Sequence, residues 1–357
     1  TQNYLFREQY NDGFWWGELE SNPTMEAEFL LLHYFLGIND EKKFLKLSNH
    51  IKSQQREDGT WGQYYGAPGD LSTSVECYLA LKIAGYSENE ESMLKAKDFI
   101  CSKGGIEKTR VFTKIWLSLV DQWKWEGVPI MPAELILLPN WSPINIYEFS
   151  SWARSTIVPL LILMDKKPVR SLPKNLRVDE LFPDGPNSVD YSVKSPSNQI
   201  GWETFFFATD QVLRLLDKLP IKPTRDLALK KSEQWILEHQ EADGSWGGIQ
   251  PPWVYSIMAL YAAGYDLESP VIKKALHGFK SFEIEDSYSL RVQACVSPIW
   301  DTGLAIISLL DSGIKPNDFR LQRAGKWLID KQIKSEGDWH VKANNVRSGG
   351  WAFEFSN

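Results

Sequence analysis

A short motif, Gln-x-x-x-Gly-x-Trp, recurs three times without gaps, as Gln9/Gly13/Trp15, Gln55/Gly59/Trp61 and Gln240/Gly244/Trp246. A fourth copy, Gln332/Gly337/Trp339, carries one extra residue between Gln and Gly. The starting positions differ by 46, then 185, then 92, close to one, four and two multiples of a single period. Self-similarity at a fixed period is the mark of stacked units, and this length suits a pair of helices per unit. Intermediate units then carry decayed motifs, and Gly104–Gly105 marks one of them.

The units read alike. An amphipathic, Lys/Glu-rich helix is predicted over Asp40–Gln55, Asn89–Cys101, Arg225–Gln240 and Asp318–Gln332. In the last, Leu321, Ala324 and Leu328 form the stripe of a helix wet on one side. The motif's glycine then stops the helix. After a short loop comes a second helix, apolar almost all round: Thr24–Leu36, Ser72–Ala84, Arg110–Val120, Ser151–Met164, Trp253–Ala263 and Thr302–Leu310. Helices apolar on every face are buried on every face. An outer ring of amphipathic helices around an inner ring of apolar ones is an all-α fold, the α/α toroid.

Two stretches depart from the pattern. Lys166–Ile200 carries Pro168, Pro173, Pro183, Pro186 and Pro196 and reads as a long connection. At the C-terminal end, the outer helix Asp318–Gln332 has no inner helix after it, so its apolar stripe is expected to lie uncovered. Together with the start at Thr1, this leads to the expectation that the chain is a fragment.

Composition excludes several classes. A net charge of −7 and a pI near 5.4 argue against nucleic acid as a partner. Three cysteines, none in a Cys-x-x-Cys pair, fit a reducing compartment. No signal peptide is recognisable, and apolar runs such as Phe29–Leu36 and Ile157–Met164 are too short to span a bilayer. His33, His50, His239, His277 and His340 do not pair at metal-ligand spacing. Gly-x-Ser-x-Gly, phosphate-cradling and dinucleotide motifs are absent. Neither a metal nor a cofactor is expected.

What remains is an excess of aromatics, including 16 Trp. Inner-helix N-termini of a toroid converge, so Glu28, Glu76, Arg110, Gln250, Tyr255 and Asp301 can meet although distant in sequence. Such a set could hold a water in a hydrogen-bonded network, or simply tie the inner helices together. Pairing with Arg110 would favour ionised carboxylates. Trp116, Trp152, Trp253, Trp300 and Phe353 stand at the same ends, where they are either core packing or a wall that stabilises a carbocation.

Taken together, these residues resemble the triterpene cyclases of squalene-hopene type, whose repeat signature is the Gln/Gly/Trp motif. Further matching segments are Thr24-Met25-Glu26-Ala27-Glu28, Asn145-Ile146-Tyr147-Glu148-Phe149, Gly248-Ile249-Gln250-Pro251-Pro252-Trp253, Ser297-Pro298-Ile299-Trp300-Asp301-Thr302-Gly303 and Gly349-Gly350-Trp351-Ala352-Phe353. The resemblance implies two α/α barrels with a cavity between them. One barrel, residues 20–294, is inserted near the start of the other, represented by residues 1–19 and 295–357. It also implies a monotopic enzyme on the cytoplasmic face of a membrane, homodimeric when full length. Such an enzyme protonates a terminal alkene of squalene and closes rings through successive cations. By position, Trp152, Ile249, Gln250, Pro251, Tyr255, Trp300, Asp301 and Phe353 resemble cavity-lining residues. Glu28, Glu76, Arg110 and Trp116 resemble the polar network at the cation-quenching end. The family's initiating acid lies in an Asp-x-Asp-Asp motif a few residues after Phe353, and no such motif occurs here.

Other readings carry their own expectations. A polysaccharide hydrolase or lyase on a similar toroid needs an open cleft with paired carboxylates, whereas apolar inner helices predict a closed, greasy cavity. A non-catalytic module for an apolar ligand or partner needs only the wall. Trp202–Leu219 is expected to lie in a membrane interface, with Phe205, Phe206, Phe207, Val212, Leu213, Leu215, Leu216 and Leu219 among charged residues.

Overall fold

The computed structural model describes residues 1–192, 201–218 and 222–355, apart from the side chains of Trp202, Glu203, Phe205, Phe206 and Leu216. The helices are α1 (Gln2–Glu8), α2 (Thr24–Leu36), α3 (Glu41–Ser53), α4 (Leu71–Ile83), α5 (Glu91–Ser102), α6 (Val111–Leu119) and α7 (Ser151–Lys166). They continue as α8 (Trp202–Asp217), α9 (Arg225–Glu238), α10 (Gln250–Ala263), α11 (Pro270–Gly278), α12 (Pro298–Asp311) and α13 (Phe319–Asp330). Asp40, Asp70 and Asp318 start three of these helices by accepting backbone N–H groups at 2.9, 2.8 and 2.9 Å. Among the described residues, a small antiparallel hairpin joins β1 (Glu283–Glu285) to β2 (Leu290–Val292).

The fold is an α/α toroid. α2, α4, α6, α7 and α10 form the inner ring, with α3, α5, α9 and α11 packed outside them. In α2 all residues but Tyr34 are buried, including Phe29 to Leu32, as an inner helix requires. The outer helices bury only one stripe, for example Leu47, Ser48 and Ile51 in α3.

Each motif closes the same lock. The Gln side chain donates to the motif glycine's carbonyl and to a carbonyl of the next outer helix. Thus Gln55 reaches Gly59 and Ser92 O (2.9 and 2.9 Å), Gln240 reaches Gly244 and Val271 O (3.2 and 2.8 Å), and Gln9 reaches Gly13 and Arg320 O (2.7 and 3.0 Å). The Trp indole N–H returns to the carbonyl four residues before its Gln: Trp61 to Ile51, Trp246 to Ile236 and Trp15 to Leu5, at 2.8, 2.7 and 2.6 Å. Gly is required because the backbone there is left-handed, with φ of +108°, +82° and +98° at Gly13, Gly59 and Gly244.

The fourth lock differs from the expected Gln332/Gly337/Trp339. Gln332 donates to Gly349 O at 2.8 Å, and Trp351 donates its indole N–H to Leu328 O at 2.6 Å. The backbone bond from Ile333 N to Gly350 O matches that from Arg56 N to Thr60 O, each 2.9 Å. Gly349 and Trp351 therefore take the motif's roles, and residues 334–348 form an excursion that contains Trp339. Gly337 stays in extended backbone at φ −145°.

A second correction concerns α13. Its stripe is Leu321, Ala324 and Trp327, with Leu328 half-buried, and it is covered by Trp15, Ala305 and Leu309. Leu5 and Phe6 also pack there, so residues 1–15 share this smaller core with α12 and α13. The uncovered apolar face belongs to α12, where Trp300, Leu304 and Ile307 are exposed.

Helix α8 turns Asp210 and Arg214 inward. Asp210 accepts Ile130 N at 2.8 Å, and Arg214 donates to Glu126 O and Val128 O at 2.8 and 3.0 Å. Val212 and Leu215 face outward, exposed. Of the expected interfacial residues, the side chains of Phe205, Phe206 and Leu216, and Leu219 entirely, lie outside the described residues. Among the described residues no helix is long and apolar enough to cross a membrane.

The lock sets an energetic order among the tryptophans. Trp246→Ala should cost about 3–5 kcal/mol, because a fully buried indole is lost with its hydrogen bond. Trp339→Ala, on the excursion, should cost well under half of that. Urea unfolding of the two variants measures both; equal losses would mean that Trp339 is the fourth motif residue after all.

Candidate functional site

The site is organised by the N-terminus of α10 and by Gly247–Gly248, the turn that precedes it. Ile249 pairs with Cys295 in an isolated bridge, and Gln250 N donates to Ala294 O at 2.8 Å. Pro251 and Pro252 occupy the first turn, where no backbone donor is needed. Gln250 is fully buried and donates its amide to Met25 O at 2.8 Å, tying α10 to α2, while its amide oxygen has no partner.

One turn further on, Tyr255 meets the aromatic and acidic residues of three other inner helices. Its ring lies 5.8 Å from Trp116 and 6.2 Å from Phe112, both on α6. Glu28 of α2 and Glu76 of α4 adjoin it, both buried, and both push the Tyr255 hydroxyl up, after burial itself. Thr113 donates its hydroxyl to Glu76 Oε1. The Arg110 guanidinium stands 3.6 Å from the same oxygen but is 39% exposed. The other Glu76 oxygen is unpartnered, and the Trp116 indole N–H, directed at Glu28, closes no hydrogen bond.

Burial decides the charge state of this cluster. Glu28 is pushed well above the ordinary carboxylate range by burial, then by the charge of Glu76, and Arg110 offsets only part of this. Glu76 is raised too, by burial against the opposing pull of Arg110 and Thr113. Arg110 does favour the ionised form of both, as expected, but a half-exposed guanidinium is outweighed by full desolvation. Both are weaker acids than a free carboxyl, suited to hydrogen-bonding a water and unsuited to protonating an alkene.

A second cluster is aromatic. Phe353 sits edge-on between Trp152 (5.9 Å) and Trp300 (5.3 Å). Trp152 also touches the α10 turn, with its Cδ1 atom 3.3 Å from where a β-carbon at Gly247 would stand. The two tryptophans are 43% and 59% exposed. The expected closed cavity is thus an open wall among the described residues.

Two candidates have other tasks. Trp253 is fully buried and stacks on Phe279 at 4.1 Å and meets Phe282 at 5.1 Å, so it is core. Asp301 accepts Gly17 N at 3.0 Å and the Ser297 hydroxyl at 3.1 Å, fastening the incoming chain to α12. Sequence reasoning missed Thr113, whose position one turn after Arg110 could have signalled it, and the buried acid Glu354. A cavity of about 790 Å³ lies elsewhere, between α8 and the segment 125–134, and none of the candidate site residues lines it. Among the described residues no group of His, Cys, Asp and Glu is arranged to hold a metal.

Comparison with known proteins gives two matches along the chain. Residues 1–288 match the squalene-hopene cyclase N-terminal domain, and residues 296–357 match the squalene-hopene cyclase C-terminal domain. A squalene–hopene cyclase of Alicyclobacillus acidocaldarius is 44% identical over 99% of this chain and 55% of its own length. Dammaradiene synthase of the fern Dryopteris crassirhizoma is 39% identical over 100% of this chain and 52% of its own length. A squalene hopane cyclase of Aspergillus fumigatus is 39% identical over 99% and 49%. The chain spans about half the length of the curated relatives it matches.

The raised carboxyls predict a pH dependence. A group whose folded pKa is raised stabilises the fold fully below its ordinary value, near 4.5 here, and that contribution is lost as pH climbs through the raised value. Glu28→Gln cannot ionise, so its thermal midpoint should fall less than the parent's as pH rises above the ordinary carboxylate range. Parallel curves for the two chains would show that Glu28 stays charged in the fold.

Proposed function

The chain belongs to the squalene-hopene cyclase family, and we propose that it works as the N-terminal half of a triterpene cyclase. The substrate is squalene or a related linear polyprene, and the products are of pentacyclic hopene or hopanol type. The observation that carries this reading is the pairing of an aromatic wall with a buried polar cluster at the ends of the inner helices. Trp152, Phe353 and Trp300 offer ring faces and edges to a cation and no nucleophile that would capture it. Glu28, Glu76, Arg110, Trp116, Tyr255 and Gln250 form the quenching end. Unpartnered atoms of Glu76, Trp116 and Gln250 supply the hydrogen-bonding capacity for a water that removes the last proton.

Initiation is assigned outside these residues. An isolated alkene is a very weak base, and protonating it takes an unusually strong acid in a water-poor site. Glu28 and Glu76 are weaker acids than free carboxyls. An Asp-x-Asp-Asp motif is absent from the sequence. The 357 residues therefore supply scaffold, cavity wall and quenching end.

The full-length protein rests on the cytoplasmic face of a membrane as a homodimer and takes its substrate from the bilayer. Support for the membrane contact comes from α8, whose charged residues are satisfied on the protein side while Val212 and Leu215 point outward. The open aromatic wall also favours a second reading, a non-catalytic module for apolar ligands.

Incubation with squalene in detergent tests the assignment. The purified 357-residue chain should yield no cyclic product above a protein-free control, and the full-length protein should yield pentacycles. Product from the 357-residue chain would mean that the acid is here and has been misplaced. A full-length protein that binds squalene and converts none would favour the non-catalytic reading.

A further inference from the structure

We propose that Glu354 is a positioning residue of the cavity wall: seated against Gly248, it clamps Phe353 between Trp152 and Trp300 and so influences which product forms. The inference rests on the cyclase reading for its catalytic consequence, though not for its structural one.

The geometry is specific. Ala352, Phe353 and Phe355 are half-buried, yet the acid between them is 4% exposed. Its Oε2 atom lies 1.4 Å from the place a β-carbon at position 248 would take. Gly248 is thus the cradle for this carboxyl, and any other residue there would expel it. Gly248 leads directly into Ile249 and Gln250, and Phe353 is the next residue back from Glu354. One buried contact therefore joins two parts of the wall that come from opposite ends of the chain.

The surroundings keep the carboxyl neutral. From the motif loop, Glu241 accepts Gly247 N at 2.9 Å, and Asp243 accepts the N–H and hydroxyl of Ser245 at 2.9 and 2.7 Å. On the other side stands the Cys295 thiol, itself pushed up to about 11 by burial, Glu354 and Asp301. His239 bears on Glu241, and Arg154 of α7 is turned away to Asp338 at 3.0 Å. Burial and then the charges of Glu241 and Asp243 push Glu354 up to about 9. Glu241 is raised to about 7 by burial and Asp243. No cation touches Glu354, and its Oε1 atom has no partner among the described residues. A buried carboxyl among carboxylates persists only while it keeps its proton. As pH rises through about 9 the clamp should ionise and leave its seat, releasing Phe353.

A plain plug, whose only task is to fill space, would occupy the same position, and three substitutions separate it from a positioning residue. Glu354→Gln is neutral at every pH, Glu354→Ala removes the clamp, and Gly248→Ala displaces it while leaving the acid in the chain. In the full-length protein, E354A and G248A should each raise early-terminated products several-fold at neutral pH. E354Q should keep the parent's product ratio. The parent's ratio should drift toward that of E354A above about pH 9, and E354Q should not follow. Product ratios of E354A equal to the parent's, with only turnover or stability reduced, would overturn the proposal, as would an alkaline drift shared by E354Q. The 357-residue chain gives an independent readout: E354Q should lessen the fall of its unfolding midpoint between about pH 5 and about pH 9, and an unchanged fall overturns the neutral clamp. If no full-length protein cyclises squalene, the cyclase reading fails while this unfolding measurement still decides the state of Glu354.

Discussion

Everything in this molecule depends on a lock between a glutamine amide, a glycine carbonyl and an indole N–H. It takes the carbonyls left free at the end of one outer helix, which would otherwise need water, and satisfies them within the protein. Its second hydrogen bond reaches the neighbouring outer helix, as from Gln55 to Ser92 and from Gln240 to Val271. The motif therefore fixes both where a unit ends and how it leans on the next. With the outer ring held in this way, the inner helices need not specify their own spacing. They are free to be apolar on all sides and to present a few polar or aromatic groups at one end.

That end is where the chemistry gathers. Inner helices α2, α4, α6 and α10 each contribute one or two groups to a cluster that no single helix could build. Desolvation then does more than any charge partner to set its character: Glu28 and Glu76 are pushed up despite Arg110. The same balance recurs at Glu26, which burial pushes up to about 8 against a backbone donor, Val292, and Arg291. A toroid with fully apolar inner helices turns buried acids into neutral hydrogen-bonding groups. Such groups suit a cavity that must hold a water yet not trap a cation.

Much of this was legible in the sequence. α2 runs over Thr24–Leu36 as its unbroken apolarity predicts, and the Lys166–Ile200 connection holds only short turns where it is described. Convergence of inner-helix ends led to the expectation that Glu28, Glu76, Arg110 and Tyr255 meet, and they do, whereas Asp301, expected with them, accepts Gly17 N instead. What escaped has physical reasons. The fourth motif was misplaced because periodicity assumes a contiguous loop, whereas Gln332 waits for Gly349 across an excursion. The uncovered face was assigned to α13, because the reading did not see that residues 1–15 return to pack on it. The weight of desolvation at Glu28 and Glu76 was not foreseen because proximity to an arginine is visible in a pattern and depth of burial is not. Glu354 was missed because its burial depends on Gly248, a residue far away in the chain.

The central claim is that the wall formed by Trp152, Phe353 and Trp300 faces a cation. A structure of the full-length protein bound to a linear triterpene analogue carrying a tertiary ammonium would test it most directly. The account predicts the charged nitrogen within about 6 Å of at least one of these three ring centroids. An analogue seated instead in the cavity beneath α8, with the three rings untouched, would contradict it.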